Sequence, residues 1–84
     1  MTKELSSETI ARMPAELGEI VKLARRQSGL SQIEAAALCK VGTRFLSDLE
    51  NGKPTVHLGK TMQVLRAFGL DLVVKKRSAM KTHA

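Results

Sequence analysis

Two helix-sized segments separated by only three residues constrain this chain more than anything else in it. Ser31 followed by Glu34 is a capping-box pattern, in which the hydroxyl accepts from the third backbone amide and the carboxylate reaches back to the first. A helix therefore begins at Gln32, just after Gly29 has ended the one before it. The alanine-rich run that follows keeps helical character to about Cys39. Lys40, Val41 and Gly42 form a turn, and a second short helix runs from Thr43 to about Glu50. The cluster Asn51, Gly52, Lys53 and Pro54 stops it. Helices this short are unstable in isolation and must cross each other to bury apolar sides. Ala35, Ala36 and Ala37 are small enough for close approach, and Val41, Leu46 and Leu49 are placed to fill the inner face.

The flanks supply the rest of a core. Residues 1–14 are polar and read as a loose arm. From Ala15 a helix carries Leu17, Ile20, Val21 and Ala24 on one face, with Arg25 and Arg26 complementing the dipole in its last turn. After the stop cluster, Thr55 is expected to cap a fourth helix, with Leu58, Met62, Leu65 and Phe68 as its apolar positions and Gly69 as terminator. The period then changes. Residues 70–76, LDLVVKK, are short, β-branched and alternating, as in a strand. No other segment looks like its partner, so the expected partner is the same strand in a second copy, antiparallel across a two-fold axis, with Leu70, Leu72, Val73 and Val74 at the dimer contact. The competing reading of this segment is an extension of the fourth helix or a frayed tail. Residues 77–84 read as a disordered tail. The expected fold is thus mostly α, a bundle of four to five helices over residues 15–76 with a C-terminal strand pairing across a dimer.

Composition narrows the function. A single domain of 84 residues buries little surface, which favours oligomerisation. Lys and Arg number 14 against 8 acidic residues, a balance that suits a polyanion or simply solubility. With no Trp or Tyr and two Phe, the stacking platforms that hold single strands and RNA are missing, so duplex DNA is the expected nucleic acid. No apolar run is long enough for a membrane span and no signal-peptide pattern opens the chain. One cysteine, Cys39, permits no intramolecular disulfide and suits a reducing cytoplasm. Cys39, His57 and His83 match no zinc spacing, and Cys39 falls on an apolar helix side as a buried thiol. No phosphate-binding glycine loop and no convergent catalytic set occurs, so neither enzyme activity nor a cofactor is expected.

Two short helices around a turn fit the arrangement in which the second enters the DNA major groove. With Phe45, Leu46 and Leu49 inward, Thr43, Arg44, Ser47 and Asp48 face outward at the helix start. Arg44 can fork onto guanine O6 and N7, Thr43 and Ser47 can hydrogen-bond or touch thymine methyls, and Asp48 can accept from cytosine N4. The plainer reading makes these four a solvated face. Lys40, near the turn, is a candidate for a phosphate. Glu50 lies at a helix C-terminus, where its charge opposes the dipole and calls for a cationic partner.

Residues 30–53 resemble the helix-turn-helix of phage Cro and repressor proteins, the Xre-type family, through Leu30, Ser31, Gln32, Glu34, Ala36, Val41, Leu46, Ser47, Leu49, Glu50, Gly52 and Lys53. With the flanking helices the likeness covers residues 17–68 and implies a lambda-repressor-like fold. It implies further that Gln32 and Lys53 contact the DNA backbone and that Arg25 bridges to Glu50 as a structural pair. The chain departs from the pattern at three places. Lys40 stands at a turn position where the family has glycine and a left-handed backbone; Ala35 replaces a larger residue, with Phe45 available to fill the space; Gly42 takes the place of a Ser or Thr cap. The stretches GKPTV and LRAFGLDL resemble HipB-type antitoxins. That resemblance implies a dimer-spanning strand, a palindromic operator, autoregulation and a HipA-like serine/threonine kinase toxin as partner. A stand-alone Xre-type regulator and a helix-turn-helix interaction module without DNA binding are the alternatives.

Overall fold

The computed structural model describes residue 5 and residues 8–77; the expected disordered tail from Ser78 and His83 lie outside the described residues. Four helices follow in order: α1 (Pro14–Gln27), α2 (Gln32–Cys39), α3 (Thr43–Glu50) and α4 (Leu58–Ala67). α1 begins one residue earlier than the sequence suggests, because Pro14 occupies its first turn, where a missing N–H costs nothing. Its other end closes on Gly29 at φ +73°, with the Leu30 N–H donating back to the Arg25 carbonyl.

Both halves of the capping box start α2: Ser31 Oγ accepts from Glu34 N–H at 3.1 Å, and Glu34 Oε1 accepts from Ser31 N–H at 2.9 Å. Hydrogen bonding from Ser31, first from its backbone amide and then from its side chain, holds the Glu34 carboxyl below its usual range. α2 ends at Lys40, which is left-handed at φ 60°, ψ 44°. The Val41 N–H donates to the Ala36 carbonyl across this sharp end. Gly42 precedes α3 in extended conformation and offers no side-chain cap.

α4 corrects the sequence reading at its start and in its phase. His57, not Thr55, caps it, with Nδ1 accepting from Lys60 N–H at 3.2 Å. Leu58 and Met62 lie exposed, while Thr61, Val64 and Leu65 are buried. The loop through Pro54 runs two residues longer than a Thr55 cap allows.

The core joins all four helices: Val21, Ala35, Ala36, Cys39, Leu46, Leu49, Val64 and Leu65, with Leu17, Leu30, Val41, Phe45, Val56, Phe68 and Leu70 packed around it. Leu46, Val21 and Val64 are fully enclosed, each contributing about 1.5–3 kcal/mol of burial. Ala35 and Ala36 are buried as expected, but Ala37 is exposed on the outer side of α2. Cys39 is buried, which pushes its thiol pKa up. Among the described residues there is no strand. Residues 71–77 leave the bundle without regular structure, and pairing between copies is not a feature one chain carries by itself. No helix among the described residues is long and apolar enough to cross a membrane.

Candidate nucleic-acid interface

The outward part of α3 is fixed by what lies behind it. Gly18 of α1 sits against the last turn of α3 so closely that a Cβ there would stand 2.5 Å from the Leu49 carbonyl oxygen and 2.6 Å from that of Glu50. Sequence reading did not single out Gly18. Its one hint was a glycine inside a helical pattern, which costs about 1 kcal/mol in propensity unless packing demands it.

Beside this contact, Arg25 meets Glu50 in a two-pronged pair: Nε donates to Oε2 at 2.6 Å and Nη2 to Oε1 at 3.0 Å. Arg25 Nη1 also donates to the Leu30 carbonyl at 2.9 Å, so the guanidinium binds α1, the α1–α2 turn and α3 together. Both residues are buried, Glu50 to 2 % exposure. Burial pushes the Glu50 carboxyl up, but hydrogen bonds from Arg25 and Gln32, with the charges of Arg25 and Lys22, outweigh it and leave the group below its usual range. The bond to Glu50 raises Arg25 correspondingly, against desolvation.

Gln32 belongs to the same network. Its Nε2 donates to Glu50 Oε1 at 3.0 Å, so its amide nitrogen is turned inward and committed to the protein. The N-terminus of α2, where Gln32 stands, is by its dipole and its first amides suited to an anion. Gln63 on α4 was not anticipated either: its Nε2 donates to the carbonyls of Cys39 at 2.7 Å and Lys40 at 3.2 Å, tying α4 to the open end of α2. Behind the α3 face, Lys60 lies 5.9 Å from the ring centroid of Phe45.

Around this scaffold the outward groups gather on one side. Thr43 and Arg44 are exposed at the first turn of α3, with the Arg44 side chain 89 % exposed. Ser47 and Asp48 are half-buried one turn on. Asn51 Nδ2 donates to Ser47 Oγ at 3.5 Å, a long contact. Asp48 stands between two cations, Arg44 Nε at 3.7 Å and Lys53 Nζ at 3.5 Å. Lys40 and Lys53 are exposed at the ends of α2 and α3. The face of α3 therefore presents two cations flanking one carboxylate, with Lys40 exposed at the end of α2, on two short helices braced from behind. Such a face is suited to phosphates at its edges and to base edges at its centre.

The segment expected to pair lies elsewhere. Leu70 is half-buried and, with Met62, Leu65, Arg66, Asp71 and Leu72, lines a shallow groove at the end of α4. Leu72, Val73 and Val74 are 50 %, 71 % and 92 % exposed, an apolar run uncovered in the single chain. Among the described residues no group of His, Cys, Asp and Glu is arranged to hold a metal ion.

Comparison with known proteins agrees with this geometry. Residues 16–77 match the family described as "Helix-turn-helix domain". An uncharacterized HTH-type transcriptional regulator, y4mF of Sinorhizobium fredii, is 43 % identical over 61 residues, covering 73 % of this chain and 80 % of that protein. Among solved structures, a HipB variant in complex with an O2 20mer superposes with a TM-score of 0.73 at 24 % identity, over 83 % of this chain and 97 % of that one. HipB in a HipA–HipB–O2–O3 complex gives 0.73 at 23 % identity, over 82 % and 97 %. At these identities the structural likeness concerns the fold.

Proposed function

The chain belongs to the helix-turn-helix domain family and is a helix-turn-helix transcriptional regulator, and on that footing we propose that it is a sequence-specific repressor that binds duplex DNA in the cytoplasm as a homodimer. The observation that carries this reading is the exposed first turn of α3, Thr43 and Arg44, on a helix braced from behind by the buried Arg25–Glu50–Gln32 network. A major groove admits one helix, and its bases are read by side chains near the helix start. Arg44 is the principal reader, with Thr43 and Ser47 beside it, and Asp48 is the fourth residue of the same face. Lys40, Lys53 and the backbone amides at Gln32 meet phosphates and set the salt dependence. Residues 70–76 pair between two copies, covering Leu72, Val73 and Val74, and present two α3 helices to a palindromic operator.

The likeness of fold to HipB favours a more specific role. In this reading the chain is the antitoxin of a HipBA-like operon: the dimer represses its own promoter and holds a HipA-like serine/threonine kinase toxin. A stand-alone Xre-type regulator without a toxin is the second reading, and the description of y4mF as an HTH-type transcriptional regulator fits both. A kinase-like reading frame beside the gene separates the two.

The direct test is a gel-shift titration with the DNA upstream of the chain's own gene. Specific binding that collapses in Arg44→Ala, with helicity unchanged, is the expected result. No binding even at low salt turns the chain into an interaction module that keeps only the fold.

A further inference from the structure

The geometry points to Asp48 as a positioning residue for DNA recognition: one carboxylate that aims Arg44 at a base and holds Lys53 at the groove edge, reading no base itself. This role rests on the DNA-binding reading above and adds to it a division of labour on α3.

Asp48 is placed for that task in two ways. It lies one turn after Arg44 on the same helix face, and its two oxygens are divided between the cations, Oδ1 toward Arg44 Nε at 3.7 Å and Oδ2 toward Lys53 Nζ at 3.5 Å. A guanidinium approached on its Nε side keeps both terminal nitrogens free. Those terminal nitrogens form the fork that meets guanine O6 and N7. Arg44 is otherwise 89 % exposed and touches little that would choose among its rotamers, so a fixed charge beside Nε restricts it before DNA arrives.

The same placement argues against direct readout by Asp48. Each oxygen faces a cation, so a cytosine N4 amine approaching it has to compete with Arg44 or Lys53 for that oxygen. It also resolves the presence of an acid on a face built for phosphates. Flanked by Arg44 and Lys53, the carboxylate is locally outnumbered, and Lys53 beyond it still points a positive charge outward.

The test uses the full chain and a duplex that the wild type selects from a random-sequence library, beside a scrambled duplex of equal length. Asp48→Asn keeps the size and removes the charge; Asp48→Ser repeats the test, and each variant is first matched to the wild type by circular dichroism. The expected result is about a tenfold loss on the selected duplex with no loss on the scrambled one, shrinking to less than about twofold when Arg44 is already Ala. Three results overturn the assignment. Tighter binding to both duplexes means that Asp48 only repels phosphates. An undiminished loss in the Arg44→Ala background means that it reads a base on its own. A wild type that selects no duplex removes the DNA-binding reading itself, and this role with it.

Discussion

Arg25 and Glu50, 25 residues apart in the chain, are joined by two hydrogen bonds in the interior, and this pair fixes α1 to the end of α3. Glu50 stands where the helix dipole is unfavourable to it, and Arg25 supplies the charge that makes the position tolerable. Arg25→Met therefore leaves a carboxylate buried without its cation, at a cost of about 3–5 kcal/mol. Urea unfolding will measure this, and adding Glu50→Gln should recover part of the loss. The pair does not face DNA, so the folded fraction of Arg25→Met should bind operator normally. Weaker binding by a fully folded variant would assign Arg25 a different role.

Acid should weaken the fold through the same carboxyl. Glu50 titrates near 4.5 in the unfolded chain and lower in the folded one. Between those values the unfolded state holds more protons, so stability is complete above about pH 4.5 and falls as pH drops through the folded value. Glu34, lowered by its bonds to Ser31, contributes in the same direction but is solvent-exposed and contributes less. A plot of unfolding free energy against pH should be visibly flatter below pH 4.5 for Glu50→Gln than for the wild type. Equal slopes would remove Glu50 from the acid response.

Gly18 tests the packing directly. In Gly18→Ala the new methyl meets the Leu49 and Glu50 carbonyl oxygens, which are backbone and cannot swing aside. The gain in helix propensity, about 1 kcal/mol, is then outweighed by displacement of α3, and a net loss of about 1–3 kcal/mol is expected. A variant as stable as the wild type would mean that α1 and α3 separate easily.

Lys40 is the only non-glycine residue among the described ones with positive φ. Lys40→Gly should raise stability by about 1 kcal/mol, because the left-handed conformation strains a residue with a Cβ. In the proposed DNA complex the same change should lower the slope of log affinity against log salt by about 0.9, the share of one phosphate contact. A slope left unchanged would place Lys40 away from the DNA.

Local chemistry made α2 and α3 legible in the sequence. Ser31 and Glu34 declare one start, and Gly29, Gly42 and Gly52 punctuate the rest, so both helices lie where these residues put them. The left-handed turn at Lys40 was legible too, through the glycine the resembling family keeps there. Features that depend on how helices cross were not. Val64 and Thr61 face inward in place of Leu58 and Met62, because the packing of α4 against the other helices decides its inward side and no periodicity inside the helix reveals it. Gln32 has the composition of a surface residue at a helix start, yet its amide serves Glu50, a partner 18 positions away. Gly18 and Gln63 matter through backbone atoms of other helices, which a single sequence does not place beside them.

The central claim is that two α3 helices of a dimer read a two-fold-symmetric DNA site. Selection of duplexes from a random-sequence library by the full chain, followed by sequencing, tests it most directly. The account predicts enrichment of a palindrome whose half-site centres lie about one helical turn, ~34 Å, apart. It also predicts that Arg44→Ala relaxes one base position in each half. Recovery of unenriched sequence, or of a single half-site bound by a monomer, would contradict it.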